Sequence, residues 1–265
     1  MRAQAELIAF APNGTVLHYN DTYEGYLDVD PSPRGESTVT YVAHKELPSE
    51  DCYQTRKCTE IALQRSNLTT GHTETFYRTV TPRVSSSRWH AVDRINETHF
   101  VVADIYLDRV FVLNVSNGRV EWAWRAKQEF DLSSGGAWPK DWTHVNDVEA
   151  LPDGRFMVGP RNQDQVVFLD RRKGMLENWT LGADDDHSVL YEHHNPDYIP
   201  ASEGGPAAAS AEFGGKNGSF VASAILTVKN LIPGIVVNGL IYVLPSWVGF
   251  VELAALAGSV ATALV

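Results

Sequence analysis

The chain has 265 residues, a formal net charge of −11 and a pI near 5.2, with seven lysines beside fifteen arginines. So acidic a surface lacks the basic patches that a phosphate backbone requires, which excludes nucleic acid as a partner. It suits a halophilic protein kept soluble in high salt, and the length suits one large all-β domain or two smaller ones.

The first expected elements are short strands. Leu7-Ile8-Ala9-Phe10 leads through an Asn13-Gly14 turn to Val16-Leu17-His18-Tyr19. A fuller group follows at residues 26–30, 39–42 and 61–63 and turns at Thr70-Gly71, with the loop carrying Cys52 and Cys58 as an insertion. No histidine or third cysteine lies nearby, so a small loop disulfide is expected rather than zinc, with two free thiols as the alternative. A disulfide implies an oxidising compartment.

From residue 92 the pattern repeats at constant offset. Residues 92–95, 100–103 and 108–114, the Asn117-Gly118 turn and Glu121 recur 56 positions later as 148–151, 156–159, 164–170, Lys173-Gly174 and Glu177. Hydrophobic positions, turn glycines and acidic positions coincide. Four-stranded units of about 50 residues are the signature of propeller blades, whereas a β-sandwich would not need a fixed repeat. The expected fold is all-β: a partial β-propeller over residues 1–206, with about three and a half four-stranded blades.

The pattern stops after Tyr198-Ile199-Pro200, and residues 207–222 read as a linker. Residues 223–265 are apolar apart from Lys229 and Glu252, and about 20 such residues span a bilayer. Pro233 and Pro245 divide this tail. C-terminal apolar helices are therefore expected, an interfacial one near 220–244 and a membrane one near 246–265, with a buried core hairpin as the alternative. Seven Asn-x-Ser/Thr sequons, at Asn13, Asn20, Asn67, Asn96, Asn114, Asn178 and Asn217, point to an exterior glycoprotein. No signal peptide precedes them, so the exporting segment is expected to be missing from this chain.

The polar residues with a chemical pattern lie at blade starts. In Trp142-Thr143-His144-Val145-Asn146, strand-like alternation would aim His144 and Asn146 the same way. Arg161 follows in the strand-like run 156–162. Subtracting the repeat offset from Asn146 gives His90, and His194 opens the next unit after a somewhat shorter step. One histidine or amide from each of three consecutive blades thus converges on one axis. Of His193 and His194, at most one faces it. His18, His44, His72, His99 and His187 sit in surface-like contexts. Trp122, Trp124 and Trp179 read as packing between blades, and Asp184-Asp185-Asp186 as a solvated turn.

At Arg88-Trp89-His90-Ala91-Val92-Asp93, at 141–149, at 161–167 and at Glu192-His193-His194-Asn195-Pro196, the chain resembles the arylsulfotransferase (ASST) family. The likeness is to its membrane-attached members from halophilic archaea and runs from about residue 5 to 206; the tail around 237–245 is similar to their C-terminal membrane segment. The resemblance implies a six-bladed propeller that moves a sulfuryl group from an aryl sulfate to a phenol, with no nucleotide donor (PAPS-independent), cofactor or metal. By motif match it implies that His194 is the nucleophile and is transiently sulfated. His144, Asn146 and Arg161 would hold the sulfuryl oxygens, and His90 would be a further funnel histidine. A neutral imidazole can attack sulfur, donors can meet the changing oxygen charge, and a second histidine can exchange the phenolic proton.

Phenolic donor and acceptor molecules and a membrane are then the expected partners, with the propeller on the extracellular face of the cell membrane. A full member would continue past Pro206 with two or more further blades. The chain therefore reads as truncated or internally deleted, with impaired catalysis and open blade edges that favour self-association. The competing reading is a glycosylated cell-surface binding module without catalysis. A third is a metal-dependent propeller hydrolase using the His and Asp cluster.

Overall fold

The computed structural model of the chain describes residues 5–32, 37–53, 57–82, 88–176, 180, 182, 191–200 and 218–223. The expected membrane helix, nearly all of the interfacial helix, most of the linker, Trp179, the 184–186 aspartates, His187, Asn178 and Asn217 lie outside them.

The strands, in order, are β1 (Leu7–Phe10), β2 (Val16–Asn20), β3 (Gly25–Pro31), β4 (Thr38–Leu47), β5 (Cys58–Asn67), β6 (Thr73–Pro82), β7 (Trp89–Arg94), β8 (His99–Asp104), β9 (Arg109–Asn114), β10 (Arg119–Arg125), β11 (Val145–Ala150), β12 (Phe156–Pro160), β13 (Val167–Asp170), β14 (Gly174–Met175), β15 (His194–Pro200) and β16 (Gly218–Ser223). They form three four-stranded antiparallel sheets, β3-β4-β5-β6, β7-β8-β9-β10 and β11-β12-β13-β14, flanked by the two-stranded pairs β1-β2 and β15-β16. Contacts between sheets run mainly through β3, β7, β11 and β15. The first strand of each sheet is therefore its inner one, and the arrangement is all-β and propeller-like.

The middle strands are apolar on both faces because each sheet is covered on both sides. Along β8, Val101 and Ala103 join the core shared with the next sheet, with Val148, Phe156 and Val158. Phe100 and Val102 turn to the preceding sheet, against Val42, Ile61 and Leu63. This is period-2 alternation with both faces buried, which reads in sequence as a continuous hydrophobic run. Each such valine, leucine, isoleucine or phenylalanine contributes about 1.5–3 kcal/mol on burial. Trp122 bridges blades as expected: its ring lies 5.4 Å from that of Phe156 and its Nε1 donates to the Arg171 carbonyl at 3.0 Å.

Carboxylates tie the inner strands together. Asp28 on β3 accepts from the Val92 amide on β7 (2.6 Å), Asp93 on β7 from the Ala150 amide on β11 (2.7 Å), and Glu149 on β11 from the Tyr198 amide on β15 (2.9 Å). Each strap satisfies a main-chain donor that no ladder reaches. Burial, with Asp30 and Asp147 nearby, holds the Asp28 carboxyl well above the usual range.

Cys52 and Cys58 are joined in a disulfide that closes the β4–β5 loop. The five sequon asparagines among the described residues share one local geometry: the side-chain oxygen of Asn13, Asn20, Asn67, Asn96 and Asn114 accepts from the main-chain amide two residues on. The Asn-x-Ser/Thr pattern here makes Asx turns, a structural reason for its frequency that is independent of glycosylation. Asn114 is also buried and donates to Glu121 at 2.8 Å, so it is not an exposed acceptor. Residues 220–223, expected to start a helix, are extended in β16 and pair with β15, as in Tyr198↔Phe220. Phe and Val in that stretch favour a strand. His18, expected at the surface, is buried.

Candidate active site

Three inner strands open on a bulge. His90 is skipped between the pairs Trp89↔Asp104 and Ala91↔Ala103, and Asn146 between Val145↔Pro160 and Asp147↔Gly159. The sequence repeat thus extends to the irregularity that re-aims each side chain. On β15 the skipped residue is Asn195, between His194↔Ser223 and Pro196↔Ala222. The counterpart of Asn146 is therefore Asn195, one position later than the sequence spacing suggests.

His144 is not on the strand. It precedes β11 in the left-handed region (φ 46°), so simple alternation with Asn146 does not aim it. Its imidazole nevertheless stands between two others, with ring centroids 5.8 Å from His90 and 6.3 Å from His194. Its Nδ1 lies 2.6 Å from Asp141 Oδ1. Arg161 also departs from the strand reading, because a 3-10 turn, Arg161–Gln163, begins directly after β12. Its amide donates to the His144 carbonyl (3.3 Å), and the neighbouring Asn162 amide donates to that of Thr143 (2.9 Å). The turn that carries the guanidinium is thereby tied to the histidine loop.

His193 and His194 divide as expected. His194 is half-buried and ring-to-ring with His144. His193 is 4 % exposed, with neither ring nitrogen hydrogen-bonded among the described residues, and it packs behind the row. Gly159 makes the space: a Cβ there would come within 3.0 Å of Asn146 Oδ1 and 3.1 Å of His193 Nε2. Asn146 is 1 % exposed and donates its amide to the His193 carbonyl at 2.9 Å, which ties it to the main chain leading into His194.

The electrostatics favour neutral rings. His90 is pushed down to about 3, by burial first and then by Arg88, His144 and His194, while a hydrogen bond to the Asn146 main chain acts the other way. His144 is lowered to about 4 by burial and Arg161, against Asp141; His193 falls to about 4, chiefly through burial. At neutral pH the positive charge acting on these rings comes from Arg88 and Arg161. An anion entering here would meet two guanidiniums beside His90 and His144, whose rings are held neutral.

Two further aspartates hold the loops. Asp108 Oδ1 accepts from the Thr143 amide (3.0 Å) and hydroxyl (2.5 Å), one residue before His144. Asp164, its counterpart at the repeat offset, accepts from the Glu192 amide (2.6 Å), one residue before His193. Both aspartates adopt positive φ. Asp108→Ala strips both Thr143 donors of a buried partner and is expected to destabilise the fold by about 2–4 kcal/mol, read as a shift in the urea midpoint. Asp108→Asn, which keeps one acceptor oxygen, should lose less.

Four residues of this neighbourhood escape a reading by sequence pattern. Arg88 stands two before His90, a same-face spacing that carries its only signal. Asp141 stands three before His144, a relation that matters only once the chain turns left-handed there. His193 was masked by its neighbour. His44, expected at the surface, instead fills the space opposite Gly25, where an added Cβ would collide with its ring; burial and Arg88 lower it to about 4. Among the described residues, no three histidine, cysteine, aspartate or glutamate side chains converge as a metal-ligand set.

The row of imidazoles, its two arginines and the bulges that aim them all lie within one span, and that span matches the family model "Arylsulfotransferase (ASST)" over residues 87–195. Over this span the chain is similar to the arylsulfotransferase family. All five candidate residues, His90, His144, Asn146, Arg161 and His194, fall inside the matched span. Among solved structures the chain is similar to a protein of unknown function from Bacteroides caccae, at 12% identity over 69% of this chain and 56% of that one, with a TM-score of 0.44. It is also similar to the WD40 β-propeller domain of Doa1 (10% identity, 62% and 43% covered, TM-score 0.36) and to Saccharomyces cerevisiae Sqt1 (11%, 61% and 40%, 0.37). The chain spans about half the length of these structures. No curated protein matches it.

Proposed function

We propose that the chain transfers a sulfuryl group from an aryl sulfate to a phenol, with His194 as the transiently sulfated nucleophile. The observation that carries this reading is the row His90–His144–His194 beside Arg161, inside the span similar to the arylsulfotransferase family. His194 Nδ1 meets the Glu192 carbonyl at 3.3 Å, which places the proton on Nδ1 and leaves Nε2 as the basic nitrogen. Nε2 attacks sulfur, the bond from sulfur to the aryl oxygen breaks, and the phenolate departs with the electron pair. Arg161 and Arg88 meet the sulfuryl oxygens as their charge shifts. Asn146 holds the His193-His194 backbone.

The disulfide fits an oxidising exterior, and the apolar stretch 223–265 fits a membrane anchor, so the domain is inferred to face outward from a membrane and to use phenolic small molecules. Mixing the full chain with 4-nitrophenyl sulfate tests the activity. A burst of 4-nitrophenol, followed by turnover only when a phenol is added, supports transfer. Binding of the sulfate ester with no nitrophenol released would support a non-catalytic binding module instead.

A further inference from the structure

We propose that His144 takes the proton of the acceptor phenol through its Nε2, and that Asp141 is the residue that positions it to do so. The proposal rests on the sulfuryl-transfer reading above and changes the part His144 plays in it. The family resemblance makes His144 a donor to sulfuryl oxygens, and the geometry gives it the opposite polarity. A neutral imidazole has one N–H. That proton is committed to Asp141 Oδ1 at 2.6 Å, and Nε2, which has no hydrogen-bond partner among the described residues, keeps a lone pair. It can accept a proton and cannot donate one.

Place in the row supports this role. His144 stands 6.3 Å, centroid to centroid, from His194, so a phenol aligned to attack sulfur on His194 has its hydroxyl beside His144. His90 is less suited, because the titratable groups acting on it are Arg88 and two other histidines, with no carboxylate to favour the imidazolium that proton transfer forms. Asp141 is held in its turn: its carbonyl accepts from Asn162 Nδ2 at 2.6 Å, and its own φ is 51°. The charged or titratable groups facing His144 are Asp141 from its own loop, Arg161 from the turn after β12, His90 from β7 and His194 from β15. Arg161 and the histidines oppose a charged ring, and Asp141 favours one. The imidazolium therefore forms only while the proton is in transit.

The step balances. The phenolic proton passes to His144 Nε2, the phenol oxygen forms the new bond to sulfur, and the nitrogen–sulfur bond to His194 breaks with its electron pair returning to the ring. The proton on His144 then leaves to water or to the next departing phenolate.

Rapid mixing of Asp141→Asn with 4-nitrophenyl sulfate, and with acceptor phenols of graded acidity, tests the assignment. Asparagine can present its amide N–H to Nδ1 and so favour the wrong tautomer. Turnover with a weakly acidic phenol should fall about 100-fold or more, the size of a general-base contribution, while the nitrophenol burst slows less than about tenfold. A phenol already ionised at the assay pH should recover most of the loss, and Asp141→Glu should recover part of it for all acceptors. An equal loss with every acceptor, or no loss, overturns the assignment. If Asp141→Asn does not fold, the acceptor series is run on Asp141→Glu, where a flat dependence on acidity overturns it. Absence of a burst in the parent protein would count against the sulfuryl-transfer reading itself, so the two failures are separable.

Discussion

His194→Ala is expected to lower kcat/KM for sulfuryl transfer by at least about 10⁴-fold while barely moving the urea midpoint, since removing a nucleophile forfeits most of the chemistry and leaves only binding. The half-buried position of His194 makes the change tolerable to the fold. His193→Ala should behave in the opposite sense. That ring is 4 % exposed and packs against Gly159, so its loss creates a cavity of roughly 2 kcal/mol or more in cost. The comparison separates the two neighbours by measurement: activity is lost first at 194, stability first at 193.

The second large effect is an acid sensitivity carried by His90. Its ordinary value of 6.5 falls to about 3 in the folded chain, because burial and Arg88 disfavour the charged ring. Above pH 6.5 neither folded nor unfolded chain holds the proton, and the contribution to stability is fully present. Between 6.5 and about 3 the unfolded chain binds a proton that the folded one refuses, so stability is lost as pH falls. At pH 5 this amounts to about 2 kcal/mol. His144 and His193, each near 4, act in the same direction. Asp28, Asp104 and Asp108 act the other way, since burial raises their folded values and the folded chain takes up protons first. The clean observable is therefore a difference. Between pH 7 and pH 5, urea unfolding should show the parent losing about 2 kcal/mol more than His90→Gln. Equal losses would mean that His90 is not held neutral.

The constant repeat offset made the blades legible, because a repeated unit must repeat its hydrophobic positions and turns. It reached further than the strands, placing His90 and Asn146 at equivalent bulges. His144 was harder: its direction depends on a left-handed residue and a skipped pair, and side-chain periodicity assumes neither. The carboxylate straps are half visible. Asp93 and Glu149 recur as acids at the repeat, but the amides they satisfy lie in other strands at no fixed spacing from them. His44 was hidden because the space it fills is defined by Gly25 on the paired strand. The sequons carried two meanings in one pattern, and the turn is the one the geometry displays.

The most direct measurement is peptide mapping by mass after the full chain is mixed with an aryl sulfate and no acceptor. One sulfonate is expected on the peptide that holds His193 and His194, localised to His194 by fragmentation and chased off when a phenol is added. A sulfonate on His144 or His193 instead, or transfer that proceeds with no modified peptide at all, would contradict it.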